Sequence, residues 1–443
     1  MVTCVRLMAA MALAGSTIGA ASAAEPAPPA ATAPNAVDAR TVVDAVRQLV
    51  RDRYVIAETG AALDAALAKA QANGDFAGLS GRALAEAING VMRSVTPDGH
   101  LGASYDPVRS ADLAAHGGAF AGEDELTPAM IRMIALNNAG FRRMEVLPGN
   151  IRYVDHTVFA WGTPESESAL ANAMEFLRGG SAIIIDHRRM GGGAAEAVAA
   201  MASYFVPEGT PLMRFQTRGE EPEVSVSGAA PFSLAGKPVF VLTSSRTFSA
   251  GEEFAAHVDA FGFAKLVGET TGGGGFNNMF FALPGGHLIS VSTSQALHAR
   301  TGKGWERTGI APAVAVPQDR ALERAQAEAV AAMIPGARDG ERQALEAILP
   351  VYRAMADGTA PANPPSTYLG RYGDRTIAVG ADGTLTSQRG NGPATRLIAL
   401  GGDTFAFEQA PAQRIAFVVE NGSAAAVEVS SPAGPQRTPR NPG

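Results

Sequence analysis

Val239 to Gly275 reads VFVLTSSRTFSAGEEFAAHVDAFGFAKLVGETTGGGG, and the order of elements inside it decides the fold. Val239 to Leu242 is a short apolar, β-branched run of buried-strand length that stops at the hydroxyl-rich turn Thr243-Ser244-Ser245. A helical pattern begins at Ser249, with Glu252 and Glu253 in the opening turn, where the helix dipole favours negative charge. A second apolar run, Leu266-Val267, follows and leads into four consecutive glycines. Strand, tight turn, helix, strand puts the Ser249 hydroxyl at the positive end of a helix and lets the next backbone N–H, that of Ala250, face an oxyanion. Serine is also a preferred plain helix cap, and the Gly-x-Ser-x-Gly nucleophile pattern is absent. A catalytic reading therefore needs a base and an orienting acid from other parts of the chain.

The 443 residues imply two or three domains, and 46% hydrophobic with 18% charged residues describes a globular chain with a sizeable interior. A formal charge of -7 without a long basic run argues against nucleic acid as a partner. Arg6, the apolar run Leu7 to Ala20 and the small residues Ala21-Ser22-Ala23 make residues 1–24 a secretory signal, cut near Ala23 or Ala24, whose apolar core is too short to span a bilayer. The mature protein is then expected in the periplasm or outside the cell, not spanning a membrane. The one cysteine, Cys4, lies inside the signal, so disulfides, cysteine catalysis and thiolate metal sites are excluded from the mature chain. Residues 25–35 are Pro/Ala-rich and read as a flexible leader.

Residues 36–103 carry three amphipathic helical patterns and read as a helical N-terminal domain. The third ends at Thr96-Pro97-Asp98-Gly99-His100-Leu101, where Pro97 stops the helix and Asp98-Gly99 turns the chain. Asp106 to Arg143 reads as mostly loop with one short helix, Pro128 to Leu136. Residues 104–320 form the α/β domain. Within it, the continuous apolar run Ala182 to Ile185 has the character of a strand buried on both faces, and it runs into Asp186-His187-Arg188-Arg189-Met190-Gly191-Gly192-Gly193 ahead of a helix. The dinucleotide and Walker spacings are both missing from that glycine loop, so it does not read as a phosphate site. Residues 321–365 are expected to be a helical connector and linker, residues 366–430 a small β-barrel-like domain, and residues 431–443 a disordered tail.

The segments Thr247 to Phe254 (TFSAGEEF) and Val267 to Gly274 (VGETTGGG) resemble the nucleophile region of the tail-specific, or C-terminal-processing, serine proteases. The similarity is greatest to the branch that holds tricorn protease and the interphotoreceptor retinoid-binding protein repeats. The tail-specific branch has a lysine base in the glycine turn, whereas Gly274 stands there in this chain, so the resemblance implies the histidine and glutamate of the tricorn-like branch. Asp-Gly-His-Leu (Asp98 to Leu101) is similar to the segment bearing the family's catalytic histidine, which makes His100 the candidate base. Glu306-Arg307-Thr308-Gly309-Ile310-Ala311-Pro312 is similar to the segment with the catalytic glutamate, which makes Glu306 the candidate acid. Asp186 to Gly193 resembles the family's Asp-Leu-Arg-x-Asn-x-Gly-Gly loop, with His187 for the leucine and Met190 for the asparagine; its backbone donors imply that Gly192 or Gly193 joins Ala250 in an oxyanion hole.

The resemblance thus implies a secreted or periplasmic serine peptidase acting on peptide or protein substrates through Ser249, His100 and Glu306, with no cofactor and no metal. Tail-specific proteases usually hold a PDZ domain at this place in the chain, and the forty or so residues from Asp106 to Arg143 are too few for one, so no PDZ domain is expected. Two other readings share the fold: a carrier of apolar ligands like the retinoid-binding repeats, and a relic enzyme presenting its C-terminal β domain to an unnamed partner.

Overall fold

The computed structural model describes residues 37–120, 126, 128–430 and 434–442. The expected signal and leader lie outside the described residues. The central sheet has the order Val314–Ala315, Lys265–Gly268, Val239–Thr243, Ala182–Asp186, Ile151–His156, Phe141–Leu147. Every neighbour in it is parallel except the final hairpin. Ala182–Asp186 and Val239–Thr243 are buried at every position, because helices cover both faces. Alternate side chains divide between them: Ile183, Ile185 and Val241 meet Met174, Val198 and Phe254 on one side. Ile184, Phe240 and Leu242 meet Ala325, Val330, Ile348 and Tyr352 on the other. The second group comes from helices Ala321–Met333 and Asp339–Asp357. The stretch expected as a connector is therefore, in its helical part, a layer of the α/β domain, and the fold class is α/β as the sequence implied.

A second, antiparallel sheet runs Ala119–Phe120, Phe276–Leu283, His287–His298, Pro211–Thr217, Glu223–Val226, with Gly102–Tyr105 also paired to His287–His298. The helices Ala39–Arg53, Ala57–Asn73 and Gly81–Val95 fall where the amphipathic patterns put them. Their apolar faces close onto this sheet: Val46, Val50, Leu84 and Ile88 share one core with Phe276, Phe281, Ile289 and Val291. That core crosses the boundary drawn at residue 103, and it draws the segment ending at His100 towards the strand that leaves the glycine turn. The stretch after Asp106 also holds more structure than expected. Helix Pro107–Ala115 starts there, with Asp106 accepting from the Arg109 N–H and Pro107 in the first turn.

The C-terminal strands pair each with the next from Gly370–Tyr372 to Gln436–Pro439, eight among the described residues. A bridge between Tyr372 and Arg440 and the Asn441 N–H to Arg371 C=O bond, at 2.7 Å, close the ring. This corrects the disordered tail expected over 431–443: residues 436–439 are the last barrel strand, in register with Ala426 to Val429. The tail was misjudged because its pairing partner, not its own composition, makes it a strand. Tyr368, Tyr372, Phe405 and Phe417 fill the barrel. Val351 of helix Asp339–Asp357 packs against Ile398 and Ala406, so the barrel rests on the outer helical layer. Among the described residues no helix is long and apolar enough to cross a membrane.

Candidate active site

Ser249 precedes helix Ala250–Phe261 with φ 54° and ψ -123°. A serine that only caps a helix sits in the β region with negative φ. The conformation found here costs an L-residue about 1–3 kcal/mol and persists only when its surroundings impose it. Glu252 is the main constraint. Its buried carboxylate accepts the Ser249 N–H (3.1 Å), the Thr271 hydroxyl (2.6 Å) and the N–H groups of Gly273 (2.6 Å) and Gly274 (2.7 Å). Burial pushes the Glu252 carboxyl up from its usual range, and these four bonds pull against that rise. On the other side the Phe248 N–H bonds the Met190 carbonyl at 2.9 Å. The turn is thus pinned to two glycine loops at once. The sequence reading assigned Glu252 only to the helix dipole, although Ser-x-x-Glu is also the capping-box pattern.

The Asp186 to Gly193 loop backs the serine. The Asp186 carboxylate takes the Arg188 N–H (3.0 Å), both ends of the Arg188 guanidinium and the Tyr153 hydroxyl (2.8 Å). Met190, which stands where the family has asparagine, is wholly buried and lies so close to Gly251 that a Cβ there would come 2.4 Å from its Cγ. At this position packing takes the place of an asparagine side chain, alongside the hydrogen bonds that Asp186 makes. Gly192 and Gly193 have φ of 116° and 138°. A Cβ on Gly192 would lie 3.3 Å from the Ser249 Oγ, and one on Gly193 would strike the Phe159 carbonyl oxygen at 2.2 Å. The flanking N–H groups are used, Gly191 to Thr157 C=O (3.1 Å) and Ala194 to Phe159 C=O (2.8 Å). Among the described residues no hydrogen bond occupies the N–H groups of Ala250, Gly192 or Gly193. Behind the loop His187 and His156 meet in the core at 3.3 Å, and burial lowers His187 to about 3, so it is a neutral packing residue.

His100 and Glu306 reach the same turn from two directions. The His100 N–H bonds the Asp98 carboxylate at 2.8 Å, and its carbonyl accepts from the Ser290 hydroxyl at 2.5 Å. Its ring lies on the ring of Phe248, centroids 4.7 Å apart and tilted by 33°. The Phe248 ring occupies a hollow that exists because residues 99, 272 and 274 are glycine: a Cβ at those positions would come 2.9, 2.9 and 2.3 Å from it. The Glu306 carboxylate accepts the Gly275 N–H at 2.7 Å, while the Trp305 indole donates to the Gly274 carbonyl at 3.0 Å. Arg307 ties its N–H to the Gly273 carbonyl (2.7 Å) and its guanidinium to Thr96 (2.7 Å), joining the Glu306 segment to the His100 segment.

Electrostatics couple these groups further. Burial holds His100 below the usual imidazole range, with the charge of Asp98 opposing it. Burial first and Asp98 second push Glu306 up to about 7, against the Gly275 and Phe276 N–H groups and the Arg307 charge. The structure therefore seats Ser249 beside Gly192 and Ala250, His100 beside Phe248 and Asp98, and Glu306 beside Gly275. Among the described residues no hydrogen bond joins the His100 ring to Ser249 or Glu306, and His100 Nδ1 is buried without a partner. Sequence reasoning missed Phe248, Glu252 and Asp98. Among the described residues no three His, Asp or Glu side chains are arranged to hold a metal ion.

Residues 150–316 match peptidase family S41. The carboxy-terminal processing protease CtpA of Bacillus subtilis (strain 168) is 27% identical over 170 residues, which are 38% of this chain and 36% of that protein. The chain thus spans about a third of the length of that relative. Among solved structures, a lipoprotein from Streptococcus agalactiae aligns with TM-score 0.48 and 14% identity over 66% of this chain and 96% of that one. The photosystem II D1 C-terminal processing protease aligns with TM-score 0.42 and 15% identity, over 64% and 94%.

Proposed function

We propose that this chain, whose residues 150–316 are a peptidase family S41 domain, is a serine-type peptidase that hydrolyses peptide bonds through an acyl-enzyme on Ser249. The observation that carries the reading is the Ser249 backbone: a strained turn between a buried strand and a helix, of the kind that presents a nucleophile and that a plain cap has no use for.

In this mechanism the His100 imidazole takes the Ser249 hydroxyl proton as the Oγ–C bond forms, then delivers it to the amine as the peptide C–N bond breaks. Water repeats the sequence to release the acid. Glu306 orients the imidazole and steadies the imidazolium, and the N–H groups of Ala250 and of Gly192 or Gly193 receive the oxyanion. Substrate arrival has to bring the His100 ring off its Phe248 stack and into line with Oγ, since apo sites commonly tighten only in the complex. The secretory signal expected over residues 1–24 supports work in the periplasm or outside the cell, on peptide or protein substrates.

The test is covalent labelling with a fluorophosphonate, followed by peptide mapping, alongside a cleavage profile on a proteome-derived peptide library. Label on Ser249 and cleavage lost in Ser249→Ala are the expected results. Unlabelled wild-type protein carrying co-purified lipid would favour the carrier reading instead.

A further inference from the structure

Asp98 sits two residues before His100, is 5% exposed, and holds more of the site together than either family residue beside it. Its Oδ1 accepts the His100 N–H at 2.8 Å. Its Oδ2 accepts the Tyr54 hydroxyl at 3.0 Å, from the end of the first helix, and the Ser292 hydroxyl at 2.6 Å, from the long antiparallel strand. Three donors from three parts of the chain thus fix one carboxylate, so its position is set by the fold and not by a rotamer choice. The charge so placed is felt by His100 and by Glu306 alike, and Tyr54 in turn feels both acids.

We propose that Asp98 is a positioning residue of the proposed peptidase site: its carboxylate fastens the His100 backbone to the end of the first helix through Tyr54 and to the long antiparallel strand through Ser292, and so fixes where the imidazole stands. The inference rests on the reading of Ser249 and His100 given above. The proton itself travels only from Ser249 Oγ to the imidazole and on to the leaving amine; neither carboxylate gains or loses one in a turnover. Burial is the larger cause of the raised Glu306 carboxyl, and the Asp98 charge adds to it. The Arg307 charge, which favours ionised Glu306, and the Tyr54 hydroxyl, which feels both acids, also act there. The acid limb of the rate profile therefore depends on Asp98 as well as on His100.

The experiment follows the rate of fluorophosphonate labelling against pH in the full chain, for wild type, Asp98→Asn and Tyr54→Phe. In parallel the Glu306 carboxyl is titrated by carbon NMR in the Ser249→Ala background, a readout independent of turnover. Asp98→Asn is expected to slow labelling at neutral pH by at least about tenfold and to move the acid limb and the Glu306 titration down by about one pH unit. A residue that only supported the fold would lower the rate without moving either. Should Asp98→Asn fail to fold, Tyr54→Phe leaves the charge in place with one donor fewer, and both readouts are expected to move up. Wild-type labelling with an unmoved limb and an unmoved Glu306 titration in a folded variant would overturn the role given to Asp98 while leaving the serine reading intact. A wild-type chain that takes no label at any pH overturns both.

Discussion

Ser249 holds a backbone conformation that glycine reaches freely and that any side chain strains. Replacing the hydroxyl by hydrogen and replacing the whole side chain therefore have separable consequences. Ser249→Ala keeps the Cβ and its strain, so it is expected to lose labelling and turnover with a urea midpoint near that of wild type. Ser249→Gly loses the same chemistry but relieves the turn, and is expected to be more stable than Ser249→Ala by about 1 kcal/mol, read as a higher midpoint at equal slope. Equal midpoints for the two would mean that the turn is not under strain. The comparison bears on function because strain of this kind is kept where a side chain must be presented, and a cap could have avoided it. Gly192 and Gly193 carry the matching constraint across the site, where the one leaves room for Oγ and the other for the Phe159 carbonyl.

Between elements, the decisive link is Glu252, which fastens the start of helix Ala250–Phe261 to the glycine turn. Glu252→Gln keeps one acceptor oxygen but turns an amide donor towards a backbone donor. It is expected to cost about 2–3 kcal/mol in a urea melt, and to slow labelling of Ser249 by about a hundredfold because the turn shifts. Labelling at the wild-type rate in a destabilised variant would confine Glu252 to stability. Strand and helix periods made much of this architecture legible in the sequence. Ala182 to Ile185 and Val239 to Leu242 read as buried strands, and the glycine loops stood out by composition. The pairing that brings the pieces together was not legible, since it depends on partners far away. The segment ending at His100 reaches the turn because three helices share a core with the hairpin Phe276 to His298, and nothing local announces that. Asp98 was read as turn chemistry for the same reason: its partners Tyr54 and Ser292 lie 44 and 194 residues away.

Across the whole molecule, buried titratable groups on both sides of neutrality set how the fold should respond to pH. His187 and His257 are lowered to about 3 and His298 to about 4, each by burial, and His156 falls well below the usual range for the same reason. An unfolded chain protonates all four near their ordinary value of about 6.5, so between there and the folded values it binds more protons than the native state. Stability is therefore expected to fall as the pH drops below about 6.5. Glu253 runs the other way, pushed up to about 8 by burial, as does Glu306, pushed to about 7. These two bind protons in the native state that the unfolded chain has already released, so stability falls as the pH rises from the ordinary glutamate range through 7 and 8. Between about 4.5 and 6.5 the four histidines outweigh the two acids, and above that only the acids remain. A melting temperature that peaks near pH 6.5 to 7 and declines on both sides is the expected curve, steeper in acid. Glu253 lies against His257 in the same buried cluster and has an unpartnered Oε1. Glu253→Gln, which matches the protonated form in shape, should therefore flatten the alkaline side and steepen the acid side above about pH 4.5, where Glu253 had opposed the histidines. A scan of melting temperature from pH 4 to 9 for the two proteins checks this, and an alkaline decline that survives the substitution unchanged would remove Glu253 from the explanation.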